Sequence, residues 1–325
     1  KVESAVVGEI TNYMIELKLY TPELHDAWNA FVAKSKNATF LHNREYMDYH
    51  SDRFEDCSLV ALSKGNIIAL LPANRVGSTL YSHKGLTYGG WLTPVKHFTI
   101  IDMLEIFDEM KSFLPSIGIN ELIYKAVPHI YHTYPAEEDL YAIFRHNGTL
   151  IETNVSSTIP MENPVKFSYN YRREVRLAEQ KNIVVKETED LEPFWNALSS
   201  LLGAKYDTVP VHSLNEISLL KERFPKNIRL FEAVCENRLL GGALIYDCAG
   251  VAHVQYIATT QEGRDNYVLP YLFDHLINET FKDRKYFDFG ISNEDHGRYL
   301  NEGLAKQKCY MGGRAIVYNT YKIVF

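Results

Sequence analysis

Cysteine is scarce. Only Cys57, Cys235, Cys248 and Cys309 occur in 325 residues, far apart and with no CxxC spacing, which leaves no disulfide framework to read and suits reduced core thiols. Long apolar runs are missing too: nothing approaches the roughly 20 residues that a bilayer span needs. The start, Lys1 to Leu19, lacks the basic and then apolar profile of a signal peptide. A cytoplasmic chain with no membrane span is therefore expected. Basic charge is in deficit, with 34 Lys and Arg against 41 Asp and Glu, a net charge of -7. No global field draws such a protein onto DNA, and any tRNA contact would have to be local. What is present is the composition of a folded protein, 46% hydrophobic and 23% charged. The 22 Tyr and 16 Phe are scattered through both halves, as core and cleft walls. At roughly 150 residues per domain, the length suits two domains.

Alternation predicts a strand over Tyr13 to Leu19, then Thr21 capping a helix opened by Pro22, with Leu24, Ala27, Trp28 and Phe31 at helical spacing. A short helix is expected at Arg44 to His50. Next come a hairpin (Ser58 to Ser63 and Ile67 to Asn74, turned by Lys64-Gly65-Asn66), a third strand from Thr79 to Leu86, a helix from Phe98 to Leu114 and a strand from Glu121 to Ala126. The second half repeats this order. Helices at Tyr169 to Gln180, Glu192 to Leu202 and Leu214 to Phe224 precede a hairpin (Arg229 to Cys235 and Leu239 to Tyr246) and a third strand, Val251 to Thr259. A helix from Tyr267 to Phe281, a strand from Tyr286 to Phe289, a helix from His296 to Lys306 and a closing strand pair complete it. Ile67 and Leu239 lie 172 residues apart, as do Tyr81 and His253, and Ile123 lies 164 from Phe287. Two copies of one α/β unit are expected, residues 1–152 and 153–325, each a mixed, mostly antiparallel sheet flanked by helices.

Four segments add local detail. Tyr171-Arg172-Arg173-Glu174-Val175-Arg176 places Arg172 and Arg176 on one helical face, where guanidinium forks suit phosphate or carboxylate. In Ala252-His253-Val254-Gln255-Tyr256, alternation sends His253 and Gln255 to one face of a strand and Val254 and Tyr256 to the other. Tyr286-Phe287-Asp288-Phe289-Gly290-Ile291-Ser292-Asn293-Glu294 sets an acid between phenylalanines on a short strand, with Ser292 and Glu294 as further polar groups or caps for a following helix. Gly303-Leu304-Ala305-Lys306-Gln307-Lys308 ends a helix on a lysine before the turn Met311-Gly312-Gly313. In the first half, Tyr81 to Trp91 sets His83, Lys84, Tyr88 and Trp91 among flexible glycines, the composition of a binding loop. His129 and His132 lack a third ligand, so no metal is expected.

The element order resembles the GNAT acyltransferase fold, and two such units in one chain resemble its Fem-like branch, known for nonribosomal peptidyltransferases. The resemblance implies that Val251 to Thr259 is the strand whose free N–H groups receive the acyl donor, with Gln255 and Tyr256 beside it. It also implies that Lys308 faces the donor, with His253 and Asp288 handling protons as catalytic candidates. Coenzyme A enzymes of this fold follow that strand with Q-x-x-G-x-G/A. Here Arg264 and Asn266 occupy the two glycine positions in Gln261 to Asn266, so Arg264 would have to replace amides with charge. The implied activity is transfer of an acyl group, with acyl-CoA as the donor substrate, to a small-molecule or peptide amine acceptor bound near His83, Lys84, Tyr88, Trp91, Arg172, Arg176, Ser292 and Glu294. The alternatives are an aminoacyl-tRNA-dependent peptidyltransferase acting on a cell-wall precursor, or a non-catalytic GNAT-fold binding protein.

Overall fold

The computed structural model describes residues 15–206, 208–248 and 250–325. Tyr13 and Met14 of the expected first strand lie outside them. The first unit opens with β1 (Ile15–Leu19) and α1 (His25–Val32), whose Trp28 is fully buried and donates its indole N–H to the His42 carbonyl at 2.8 Å. After α2 (Arg44–Met47) and β2 (Glu55–Asp56) comes the hairpin β3 (Leu59–Ser63) and β4 (Asn66–Leu71). Lys64 and Gly65 turn it at positive φ, 50° and 78°, the geometry that matches strand twist. The short β5 (Asn74–Val76) and β6 (Thr79–Tyr81) lead to α3 (Ile100–Ser116), where the Thr99 hydroxyl and Asp102 carboxylate form a capping box. β7 (Glu121–Lys125), α4 (Glu138–Arg145) and β8 (Thr149–Pro160), which runs past the expected boundary at residue 152, complete this half.

β8 then runs into α5 (Tyr169–Glu179), β9 (Val184–Thr188), α6 (Glu192–Tyr206) and α7 (Leu214–Arg223). The second hairpin is β10 (Ile228–Cys235) and β11 (Arg238–Asp247), followed by β12 (Val251–Thr259), α8 (Gln261–Asp265) and α9 (Val268–His275). β13 (Tyr286–Ile291), β14 (Asn293–Glu294), β15 (Tyr299–Leu300), α10 (Glu302–Tyr310) and β16 (Arg314–Val324) end the chain.

The two halves repeat one connectivity. In each, an antiparallel run of strands ends in a parallel pair, β6 with β7 and β12 with β13. The pairs match position by position: Tyr81 faces Ile123 as His253 faces Asp288. β1, β3 and β4 form a separate sheet, while the rest join one eleven-stranded sheet in the order β2-β5-β6-β7-β16-β8-β13-β12-β11-β10-β9. The seam is an exchange of strands. β16, last in the chain, pairs with β7 of the first half, and β8 pairs with β13 of the second. Each half thus supplies the strand beside the other's parallel pair, which places the two pairs on either side of a shared seam.

Several sequence expectations need correction. The strand expected to reach Leu86 stops at Tyr81, because His83 turns back at φ 62° with its N–H on the Tyr81 carbonyl at 2.6 Å. The strand drawn from Ile67 to Asn74 breaks after Leu71, where Pro72 has no N–H for a ladder. The closing strand pair is one long strand, β16. The helix expected from His296 begins only at Glu302, capped by Asn301; Asp295, His296 and Gly297 take positive φ and form a turn instead. Cys309 is exposed, not a core thiol.

The parallel pairs also differ in a way that locates the site. β12 and β13 pair only from Val251 to His253, so the β13-facing edge of β12 beyond His253 has no strand partner among the described residues. In the first half the matching gap is filled by the chain itself. The Ser82 N–H donates to the Ile123 carbonyl at 2.9 Å, the Gly89 N–H to the Lys125 carbonyl at 3.0 Å, and the Lys125 N–H to the Ser82 hydroxyl at 2.7 Å. A Cβ on Gly89 would lie 2.1 Å from the Ser82 carbonyl oxygen. Gly89→Ala is therefore expected to destabilise the protein by about 1–3 kcal/mol, read as a lower urea midpoint.

Candidate active site

The open edge of β12 faces a cavity of about 770 Å³. Its wall includes His253, Gln255 and Tyr256 from β12, Gly290 and Ile291 from β13, Lys308 from α10, and Lys84 and Lys125 from the first half. This is the seam between the halves. The strands separate here because Gly290 takes φ +76°, a left-handed conformation that disrupts the ladder, and β13 resumes pairing with β8 only at Ile291.

His253 and Asp288 stand opposite each other in the parallel register, with Nδ1 and Oδ2 2.7 Å apart. Asp288 is fully buried. Its other oxygen accepts from the Ser156 hydroxyl at 2.5 Å and the Thr158 hydroxyl at 2.8 Å, both from β8, and Tyr318 of β16 donates to Oδ2 at 2.8 Å. Burial alone would raise this carboxyl. The His253 hydrogen bond, the His253 charge and the two β8 hydroxyls outweigh it and hold Asp288 down at about 2. An ionised Asp288 accepts a hydrogen bond from His253 Nδ1–H, and in the neutral imidazole that tautomer carries its lone pair on Nε2. Behind the pair, the Tyr131 hydroxyl lies 3.0 Å from that of Tyr318 and 3.2 Å from His253 Nδ1. Burial first, and then the Asp288 charge, push the Tyr318 phenol well above its ordinary range, so it stays a donor.

Lys308 is buried at the helix end, its ammonium donating to the Gly290 carbonyl at 2.8 Å and the Ile291 carbonyl at 2.6 Å. These bonds fix the bend that opens the strands. They use two of its three N–H groups and leave one for the cavity. Burial lowers its pKa to about 8, opposed by the Asp288 charge.

Of the residues singled out in the sequence, His253, Gln255, Tyr256, Lys84 and Lys308 line this cavity, and Asp288 lies directly behind His253. Tyr256 also receives His212, with its hydroxyl 2.6 Å from Nδ1. The others lie elsewhere. Arg264 turns back on Thr259 and Gln261, and Asn266 accepts from Lys181 at 2.7 Å. His83 is buried in a stack with His50, 5.3 Å between ring centroids, and Trp91 is fully enclosed in the core. Tyr88 packs its ring 4.4 Å from Tyr131 and donates to Thr39, one layer behind the site. Arg172 and Arg176 point to solvent on α5. Ser292 is buried and bridges β8 and α10 through its backbone, and Glu294 is exposed. Sequence reading missed Ser156, Thr158, Tyr318, Tyr131 and Lys125. The first two were within reach: Ser156-Ser157-Thr158 puts two hydroxyls on one face of a strand by the same alternation that exposed His253.

Residues 165–298 match the family model for the acetyltransferase (GNAT) domain. Comparison with curated proteins finds no match. Among solved structures, FemX is similar over 95% of this chain and 97% of its own, with a TM-score of 0.66 and 12% identity. The L-PGS of Bacillus licheniformis aligns over 94% and 92%, TM-score 0.61, also at 12% identity. A tandem GNAT protein from the clavulanic acid biosynthesis pathway aligns over 95% and 98%, TM-score 0.50 and 12% identity. At such identity the likeness speaks for the fold. The chain has the tandem GNAT fold, and within its second half residues 165–298 match the GNAT domain model.

Proposed function

We propose that this protein is an N-acyltransferase that moves an acyl group from a thioester carrier, acyl-coenzyme A in the first place, to an amine. The observation that carries the reading is His253, with Nδ1 held by buried Asp288, beside the open edge of β12 on one cavity. The amine nitrogen attacks the carbonyl carbon and a C–N bond forms. Its proton passes to His253 Nε2, and the C–S bond then breaks to release a thiolate that takes a proton from water. Free N–H groups of β12 and the remaining Lys308 proton stabilise the oxyanion between these steps. Asp288 positions the imidazole and balances the charge it gains.

The residues fit the acyl end of the donor better than its phosphates. An unpaired strand edge suits the amides of a pantetheine arm. At α8, however, the Gly263 N–H already bonds the Thr260 hydroxyl at 3.0 Å, and a Cβ there would lie 2.0 Å from the Leu240 carbonyl oxygen. That glycine serves packing, and Arg264 is engaged with its own turn. This observation favours a second reading, the aminoacyl-tRNA donor that the Fem-like resemblance implies, with the exposed Arg172 and Arg176 near its phosphates. Calorimetric titration separates them. Acetyl-coenzyme A binding with salt-independent affinity supports the first reading. No coenzyme A binding, with salt-sensitive tRNA binding lost in Arg172→Ala and Arg176→Ala, supports the second.

A further inference from the structure

Three ammonium groups line the cavity, those of Lys84, Lys125 and Lys308, and among the described residues no carboxylate forms an ion pair with any of them. The one acid on the wall, Glu152, is already held by Asn154 at 2.7 Å and His296 at 3.3 Å. Lys308 has a structural role at the Gly290 bend. Lys125 donates to the Leu86 carbonyl at 2.9 Å and the Lys84 carbonyl at 3.5 Å, which uses two of its three N–H groups, and the exposed Lys84 lies over the Tyr81 ring at 4.9 Å. Burial, with Lys84 adding to it against Glu152, lowers Lys125 to about 8. A half-buried cation with no carboxylate in ion-pair contact is costly to keep, and an arriving anion relieves that cost.

Strand order sets these lysines apart from the acyl group. In the sheet order, β16, β8 and β13 separate β7, which carries Lys125, from the open edge of β12. The lysines therefore stand at the first half's end of the cavity, away from the β12 edge on which the acyl group would lie.

We propose that Lys84 and Lys125 form an anion pocket for the acceptor, so that the amine acylated here carries a carboxylate or a phosphate on the same small molecule. This rests on the acyltransfer reading for its chemistry and on the first half of the chain for its residues. The first half then has a definite function, since its closed strand pair presents two lysines where the second half's open pair presents the acyl group. Lys84 and Lys125 are specificity residues, distant from the bond that forms.

The test uses the full chain, with acetyl-coenzyme A as donor and three amine probes: L-alanine with a carboxylate, phosphoethanolamine with a phosphate, and ethanolamine with neither. Thiol release and calorimetric binding of each probe are measured in the native protein and in Lys84→Met, Lys125→Met and Lys125→Arg. The expected result is preference for an anionic probe by about 10-fold or more over ethanolamine, whichever of the two it is. In the Met variants KM for it should rise about 10- to 100-fold with kcat within about threefold, and Lys125→Arg should recover most of the affinity. Equal use of ethanolamine, or an unchanged KM in both Met variants, overturns the proposal and leaves the acyltransfer reading standing. Lysine-dependent binding of an anionic probe with no thiol release from any amine supports the pocket and removes the transfer reading instead.

Discussion

His253→Gln is expected to lower kcat by about 10²- to 10⁴-fold while changing KM little, because it removes the base and leaves the cavity walls in place. Glutamine is close in size and its amide can still donate to Asp288 Oδ2, the oxygen that lies 2.7 Å from His253 Nδ1. The fold should survive, and the unfolding midpoint serves as the control. If His253→Gln keeps native turnover, the imidazole is only a packed core group.

Asp288→Asn should affect both activity and stability. The carboxylate is fully buried and accepts from His253, Ser156, Thr158 and Tyr318. An amide can neither accept all four donors nor balance an imidazolium. We expect turnover to fall about 10²-fold or more and stability by about 2–4 kcal/mol, the cost of leaving several buried donors without their charged acceptor. The pH dependence has a definite sign. Asp288 is lowered from 3.8 to about 2, so the native state releases this proton more readily than the unfolded chain. Its contribution, about 2 kcal/mol, is present in full above pH ~4 and is lost as pH falls towards ~2. Urea unfolding at a series of acid pH values should show that loss in the native protein and a flatter course in Asp288→Asn. An identical acid slope in both would mean that the carboxylate is not ionised in its cluster.

The parts of this architecture that rest on local patterning were legible in the sequence. Alternation in Ala252 to Thr259 found β12, the Lys64-Gly65-Asn66 turn found the first hairpin, and the spacing of Tyr81 and His253 matched positions that are equivalent in the two parallel pairs. The exchange of β8 and β16 was not legible. A long edge-to-edge pairing is set by which strands lie free after each half has folded, and no short window of sequence carries that information. The same limit explains the missed residues. Tyr318 and Lys125 meet the site only because β16 crosses the seam, and His83 and Trp91, polar and aromatic in a glycine-rich loop, were drawn inward to seal the first half's strand pair instead of facing a ligand.

The central claim is that an amide forms at His253 on the open edge of β12, and one measurement tests it most directly. Acetyl-coenzyme A and an amine are incubated with the protein, and free thiol and acetylated amine are quantified in the same sample for the native chain and for His253→Gln. The account predicts thiol and amide in equal amounts, forming over many turnovers in the native protein and at least about 10²-fold more slowly in the variant. Thiol without amide, or equal rates of both products in the two proteins, would contradict it.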